Sequence, residues 1–483
     1  MDTCCIDKSS SAELTESINS MFQWYKQAAV CYVTLMDLQP RAQLQVDLPR
    51  CRWFTRGWTL QELLAPDIVE FYDVGGACIG SKHSLAEGLA SITGVARSDL
   101  QGGDLYSISV ATRMSWAARR QTKRVEDRAY SMLGIFDVSM PLIYGEGKKA
   151  FLRLQEEIIK RNNDLTIFAW GTPLGSDIEQ PHLVGPLAPS PAAFELSRIS
   201  SYPQDFAEFS LTNKGLILSG DVPLRTAQKN FGHGKIIVYF IFLGKVNEKP
   251  GSLPIANGGI VLRKIGPKLF CRDGYFGIET DLQILRVYEV SETCILLDPN
   301  AATRGAQENR WHALRVPLNS FAKLTHTYPE ALWDESDRLF LKPQRYSWDG
   351  YPMVLVMRFS IAFTHTTVPL AVLCHHPQGR GRVLNIIAQR QSPREFQVVS
   401  QEIYREEGMH IHELELQAPG ILQFGNTTTT LVGNRYRDIS VSLKPTVSQT
   451  FAGAVTVSAL TFAVDGKDTE SMSKRDLDAI IGS

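Results

Sequence analysis

Over residues 10–165 apolar positions recur alternately at helical and at strand spacing, whereas from residue 192 onward they recur almost entirely at strand spacing. Ser10 and Glu13 form a capping-box pair, and Leu14, Ile18, Met21, Phe22 and Tyr25 follow at three- and four-residue intervals, which predicts an amphipathic helix to Ala29. Val30 to Met36 is a short apolar run, expected as a strand buried on both faces of a parallel sheet. Trp58 to Leu64 then reads as a short helix stopped by Pro66, and Ile68 to Tyr72 as the next strand. Strand, helix and strand in that rhythm predict a doubly wound α/β sheet, with functional residues at the carboxyl ends of its strands.

Residues 84–170 read mainly as helices, with apolar stripes at Leu85, Leu89 and Ile92, over Ser107 to Arg119, and at Phe151, Leu154, Ile158 and Ile159. A Pro/Gly-rich linker, 171–191, precedes a β-rich region, 192–465. Its strand-like runs include Leu216 to Leu218, Ile236 to Phe242, Ile284 to Tyr288, Met353 to Met357, Val368 to Leu373 and Ile439 to Val441. So many short strands without a constant repeat predict an antiparallel sandwich or barrel. The tail, 466–483, is expected to fray. The predicted order is thus a partial α/β domain over 1–83, a helical continuation over 84–170, the linker, the β region and the tail.

Composition narrows the class. Of 483 residues, 44% are hydrophobic and 21% charged, which is ordinary for a globular chain. Lys plus Arg total 50 against 51 Asp plus Glu, so no net field favours nucleic acid or an anionic membrane. Eight cysteines without a CxxC pair suit a reducing compartment. The first residues lack the basic start and apolar core of a signal peptide. The apolar run from Phe451 to Val464 falls short of the roughly 20 residues a spanning helix needs. It reads as a buried strand, the 352–373 stretch reads as two strands and a turn, and the expected location is the cytoplasm.

Three motifs carry more. They are Asp2-Thr3-Cys4-Cys5-Ile6-Asp7-Lys8, then Arg56-Gly57-Trp58-Thr59-Leu60-Gln61-Glu62-Leu63, then Thr122 to Phe136 continuing through Pro141-Leu142-Ile143-Tyr144-Gly145-Glu146-Gly147. In that order they resemble the "DTCCIDK", "RGWTLQEL" and "TKRVEDRAYSLLGIF" elements of the fungal heterokaryon-incompatibility (HET) domain. The resemblance covers the first third of the chain and implies a role in vegetative incompatibility, with non-self recognition and cell-death signalling. It implies protein partners or self-association through the HET domain, and neither nucleic acid nor membrane. Members of that family usually open with a further strand and helix carrying a "YAILSHTW"-like sequence; here Met1 adjoins Asp2, so an N-terminally truncated domain is expected.

Trp58 and Glu62 lie four residues apart and share a helix face, with Leu60, Leu63 and Leu64 expected to anchor the other side. A strand ending in a polar residue, a loop and a "W-x-x-x-E-L" helix are similar to the TIR family, whose members share a flavodoxin-like fold and in some cases cleave NAD. By that similarity Glu62 takes the catalytic position, with NAD as substrate and no bound cofactor. A carboxylate there suits the cationic ribose that forms as a C–N glycosidic bond breaks. Asp2 and Asp7 are candidates to line the same cleft, and Arg56 to meet a phosphate. Against this stand two other readings, an association module without chemistry and a β-domain protein with a decayed HET remnant.

Other apparent sites are weaker. Gly145-Glu146-Gly147-Lys148-Lys149 resembles a phosphate loop but has Leu142 where the leading glycine belongs and Lys149 where Ser or Thr would hold magnesium, so a turn into a helix is expected. Cys374, His375, His376, His410 and His412 lack a second ligand cluster and read as polar strand residues, with no metal. Cys4 and Cys5 have no nearby histidine and read as small buried hydrophobes.

Overall fold

The computed structural model describes Ile6, residues 10–171 without a break, most of 183–298, and beyond 300 the stretches 312–316, 321–328, 332–334, 338–342, 354–363, 366–375, 385–390, 428–431, 439–448, 455–464 and 467–469. The chain divides into two compact units, Met1–Arg263 with Phe270–Pro299, and Lys264–Leu269 with Asn300–Ser483.

The first unit opens with helix α1, Ser11–Gln27, whose first turn is capped by the Ser10 hydroxyl accepting from the Glu13 N–H. Ile18, Met21 and Phe22 form its buried stripe, as the spacing predicted. Strand β1, Cys31–Thr34, pairs in parallel with β2, Val69–Tyr72, in the register Cys31 to Val69 through Thr34 to Tyr72. The crossover between them contains helix α2, Thr59–Leu64. The third strand, β3, Cys78–Ser81, turns back antiparallel on β2. That reversal is built locally: Asp73 Oδ1 accepts the Ala77 N–H, and Gly76 takes φ +80° in the turn.

Among the described residues the sheet has these three strands, so a doubly wound order is not seen. β1 also departs from the double burial expected of it. Cys31 and Val33 face the core, whereas Tyr32 is 67% exposed. The strand alternates because the core supporting it lies against one face.

Helices α3, Ala86–Thr93, α4, Val110–Ala117, α5, Asp127–Tyr130, α6, Leu133–Phe136, and α7, Lys149–Ile159, follow in the stretch to residue 160, with single helical turns at Arg97–Leu100 and Leu105–Ser107. The Thr122–Phe136 element is thus two single turns, because α6 ends at Asp137 in the left-handed region, φ 52°. α6 packs on α1 so closely that a Cβ at Gly134 would lie 2.0 Å from Phe22 Cβ. One hydrophobic core runs from Phe22, Leu63 and Phe71 through Met114, Tyr130 and Leu154 to Phe168, Leu216, Ile241 and Phe270. Helices and following strands therefore share a single interior.

The strands of that interior belong to an 11-stranded sheet, with Gly234–Asn247 and Pro254–Gly266 near its centre and Leu269–Asp273, Glu292–Leu296, Gly215–Ser219 and Phe209–Leu211 following in spatial order. The second unit holds a 7-stranded and a 4-stranded sheet. Within the latter, Val354–Phe363 and Thr366–His375 form the hairpin expected over 352–373. In the former, Val455–Val464 pairs antiparallel with Ile439–Ser448 and parallel with His312–Arg315. Phe359 and Phe462 meet edge to face between the two sheets, ring centroids 5.0 Å apart. No helix of the described residues is long and apolar enough to cross a membrane.

Candidate functional site

The turn before α2 is fixed by main-chain pairing across a long sequence distance. The Gly57 N–H donates to Gln121 O at 2.8 Å, and the Gln121 N–H to Thr55 O at 2.6 Å. A Cβ at Gly57 would lie 2.5 Å from Thr122 Cγ2, so these two segments can approach only because residue 57 is glycine. Thr59, the first helical residue, is buried, and its hydroxyl proton is shared between Trp53 O at 2.6 Å and Arg56 O at 2.9 Å. Gln61, also buried, reaches Ser131 O at 2.9 Å. At the far end of α2 the Lys82 ammonium donates to Leu63 O at 3.3 Å and to Pro66 O, covering carbonyls the helix cannot pair itself. Its burial lowers the Lys82 pKa, an effect that the charges of Asp67 and Cys31 oppose.

The anchoring differs from the leucine stripe that was expected. Leu60 and Leu63 are buried, Leu64 is half-buried, and polar Thr59 and Gln61 are buried beside them. Glu62 is half-buried and engaged, accepting from Trp53 Nε1 at 3.3 Å. Trp53 is itself held edge-on against Phe54 and Phe71, with centroids at 5.1 and 5.6 Å.

Arg120, just beyond α4, is buried within the same corner. Its Nη1 donates to Thr59 Oγ1 and to Arg56 O, each at 2.9 Å, and its Nε to Trp116 O at 3.3 Å. Burial pulls its pKa down to about 10, and the charge of Glu62 acts in the opposite direction.

Trp58, half-buried, lies beside the Asp127 carboxylate on α5 and favours its charged form. Tyr144 donates to Asp127 Oδ1 at 3.1 Å, and the Arg124 guanidinium stacks over the Tyr144 ring at 4.2 Å. Burial raises the Asp127 pKa, and the Tyr144, Trp58 and Arg124 contacts partly offset it. Its neighbour Glu126 behaves oppositely: Oε1 accepts the N–H groups of Gly145 at 2.8 Å and Gly147 at 3.0 Å, and backbone bonds lower its pKa. The turn that resembles a phosphate loop is therefore filled by a carboxylate of the same chain, and it leads into α7. Glu146 turns inward to accept from Tyr130 at 2.9 Å and from Arg153 at 2.6 Å.

Of the residues the sequence singled out, Glu62 and Trp58 share α2 and its amino-terminal turn, Glu62 accepting from Trp53 and Trp58 lying beside Asp127. Arg56 is exposed and contributes its carbonyl oxygen to Arg120. Asp2 and Asp7 lie outside the described residues, as do Cys4, Cys5, His376, His410 and His412. The described residues contain no group of three or more His, Cys, Asp or Glu able to hold a metal ion. Trp53, which donates to Glu62, and Arg120, which holds the turn before it, escaped the sequence reading because neither falls on a periodic stripe with it.

The vegetative incompatibility protein HET-E-1 of Podospora anserina is 52% identical to this chain over 168 residues, a stretch that makes up 33% of the chain. The chain is related to a fungal incompatibility protein. The shared stretch spans 12% of that relative's length. A domain of unknown function, DUF8212, matches residues 149–209, which include α7. Inside that match Gln155 ties α7 to the chain beyond it, donating to Ala188 O at 2.9 Å and accepting the Ala188 N–H at 2.8 Å. No solved structure matches the chain.

Proposed function

We propose that this protein acts in fungal vegetative incompatibility, as a cytoplasmic non-self recognition protein whose N-terminal HET-type region signals cell death through protein partners or self-association. The observation that carries the reading is the 52% identity to an incompatibility protein over 168 residues. The sandwich-like β region is then the part that senses or restrains. Expression in a filamentous fungal host, scored for growth arrest and lysis of hyphal compartments, tests it. Normal growth at verified expression refutes it.

A second reading is favoured by the surroundings of Glu62: the HET-type region is a TIR-like NAD glycohydrolase. A half-buried carboxylate that accepts a hydrogen bond from an indole N–H is held in place, and a carboxylate suits the stabilisation of a ribosyl cation. Glu62→Gln keeps shape and removes that charge. Nicotinamide release from NAD should fall about a hundredfold or more in this variant. No release by the unsubstituted protein at high concentration sinks the enzyme reading and leaves association as the signal.

A further inference from the structure

The whole chain is close to neutral, 50 Lys plus Arg against 51 Asp plus Glu, but the fold sorts the charges of one corner by depth. Residues 122–128 and 143–149 are brought side by side. Glu126 Oε1 accepts the N–H groups of Gly145 at 2.8 Å and Gly147 at 3.0 Å, Tyr144 donates to Asp127 Oδ1 at 3.1 Å, and the Arg124 guanidinium covers the Tyr144 ring. The carboxylates of both segments are spent in this joint. Glu126 and Asp127 are 7% and 9% exposed, and Glu146 turns inward to Tyr130 and Arg153. The cations stay outside. Lys123, Arg128, Lys148 and Lys149 are exposed, and none of them makes an ion pair among the described residues. Each segment also exposes one aliphatic side chain, Val125 at 47% and Ile143 at 51%.

Stability does not account for this arrangement. Lys148 and Lys149 stand at the amino end of α7, where the helix dipole disfavours a cation, and the first turn of that helix carries no acidic residue to offset them. We propose that this surface docks an acidic peptide segment of a protein partner, its carboxylates meeting Lys123, Arg128, Lys148 and Lys149 and its apolar side chains lying against Val125 and Ile143. Charge complementarity fixes the sign of the partner. The two aliphatic side chains favour a peptide over a free phosphate or a nucleic acid, whose contacts with a basic surface go mainly to its cations. They also fall short of a membrane anchor, which takes a longer apolar face with Trp, Phe or Leu in it. That the occupant is a protein rests on the association reading, whereas the sorting of the charges does not.

The probe is a short fluorescein-labelled peptide of glutamates with interspersed leucines, titrated against the full chain and followed by anisotropy. The parent should bind it, and Lys148→Glu/Lys149→Glu should bind roughly tenfold or more weakly. Lys26→Glu/Arg97→Glu changes the net charge equally at two exposed cations elsewhere and should bind like the parent. If the first variant does not fold, Lys123→Glu/Arg128→Glu, on the other segment, takes its place. No binding by the parent, or an equal loss in the Lys26/Arg97 pair, overturns the proposal. So does equal binding of a peptide whose leucines are replaced by serine, which would leave a general anion surface. Cosedimentation with phosphatidylserine-containing vesicles, lost in the Lys148/Lys149 variant and without peptide binding, would make the occupant a membrane and overturns it too. Failure of peptide binding alongside growth arrest in the fungal host defeats this inference alone, and peptide binding without growth arrest defeats the incompatibility reading alone.

Discussion

Gly134 offers a test in which two well-measured effects have opposite signs. It sits in α6, where alanine is ordinarily the better residue, and the exchange alone would stabilise a helix by about 1 kcal/mol. Here the new Cβ would lie 2.0 Å from Phe22 Cβ, 2.5 Å from its Cγ and 2.9 Å from its Cδ2. Rotating the Phe22 ring cannot relieve the first of these, because a Cβ moves only with its backbone. α1 would have to withdraw from α6, opening contacts around Met21 and Phe22, which are 5% and 7% exposed. Overpacking of a well-filled interior costs about 1–3 kcal/mol, and a backbone-held clash belongs at the upper end. The net expectation for Gly134→Ala is a loss of about 1–2 kcal/mol, or a melting point lowered by roughly 2–8 °C for a unit of this size. Calorimetry of the purified variant reads this directly. Melting at or above the parent temperature would refute the close approach of α1 and α6. Phe22→Leu should not rescue the variant, since leucine keeps the offending Cβ.

Glu126 makes stability depend on pH in a stated direction. Its folded-state pKa lies below the ordinary value of 4.5, so its contribution is present above that value and is lost as pH falls through the folded pKa; Glu126→Gln should flatten this part of the acid-denaturation curve, and an unchanged curve would show that the Gly145 and Gly147 bonds do not hold the turn. Gln155→Met should cost about 2–4 kcal/mol in urea unfolding, because it leaves both the N–H and the carbonyl of Ala188 unpaired in the interior; a loss under 1 kcal/mol, by about the same accounting, would mean water replaces the amide.

The elements most legible in the sequence are those that bury one stripe or one face through local pattern. The helix predicted from Ser10 to Ala29 is found at Ser11–Gln27 because the Ser10 cap and the 18-21-22 stripe both act within a few residues. The turn in 352–373 falls between Phe363 and Thr366, which places Ile361 opposite Val368. The apolar run ending at Val464 is a strand, Val455–Val464, as its β-branched residues suggest. What was not legible depends on contacts between distant segments. The parallel sheet predicted from the alternating rhythm gains an antiparallel edge because Gly76, at positive φ, allows a tight return. Trp58 and Glu62 share a helix face by spacing, but spacing could not show that Asp127, 69 positions further along the chain (127 − 58), comes beside Trp58. Helical spacing identifies which side chains share a face and says nothing of which polar atom of another element arrives there.

That last distinction bears on how activity could be housed in this region. Glu62 stands on a helix of six residues, too short to hold its own geometry. Its position follows from Thr59 under Arg120, Gln61 under Ser131, Gly57 under Gln121 and Lys82 over the last carbonyls, so four of the fixings come from segments between residues 82 and 131. Those segments are in turn tied to 144–147 by Asp127 and Glu126. The second and third sequence motifs are therefore not separate sites: the second carries the carboxylate, and the third, with Arg120 just before it, supplies the frame that holds its helix. A glutamate on an isolated surface helix would be solvated and mobile, with little to distinguish it chemically from other surface carboxylates. On a helix fixed by its neighbours, and accepting from the Trp53 indole, the same residue is held in place, which is a condition a carboxylate must meet before it can stabilise a developing cation in any substrate.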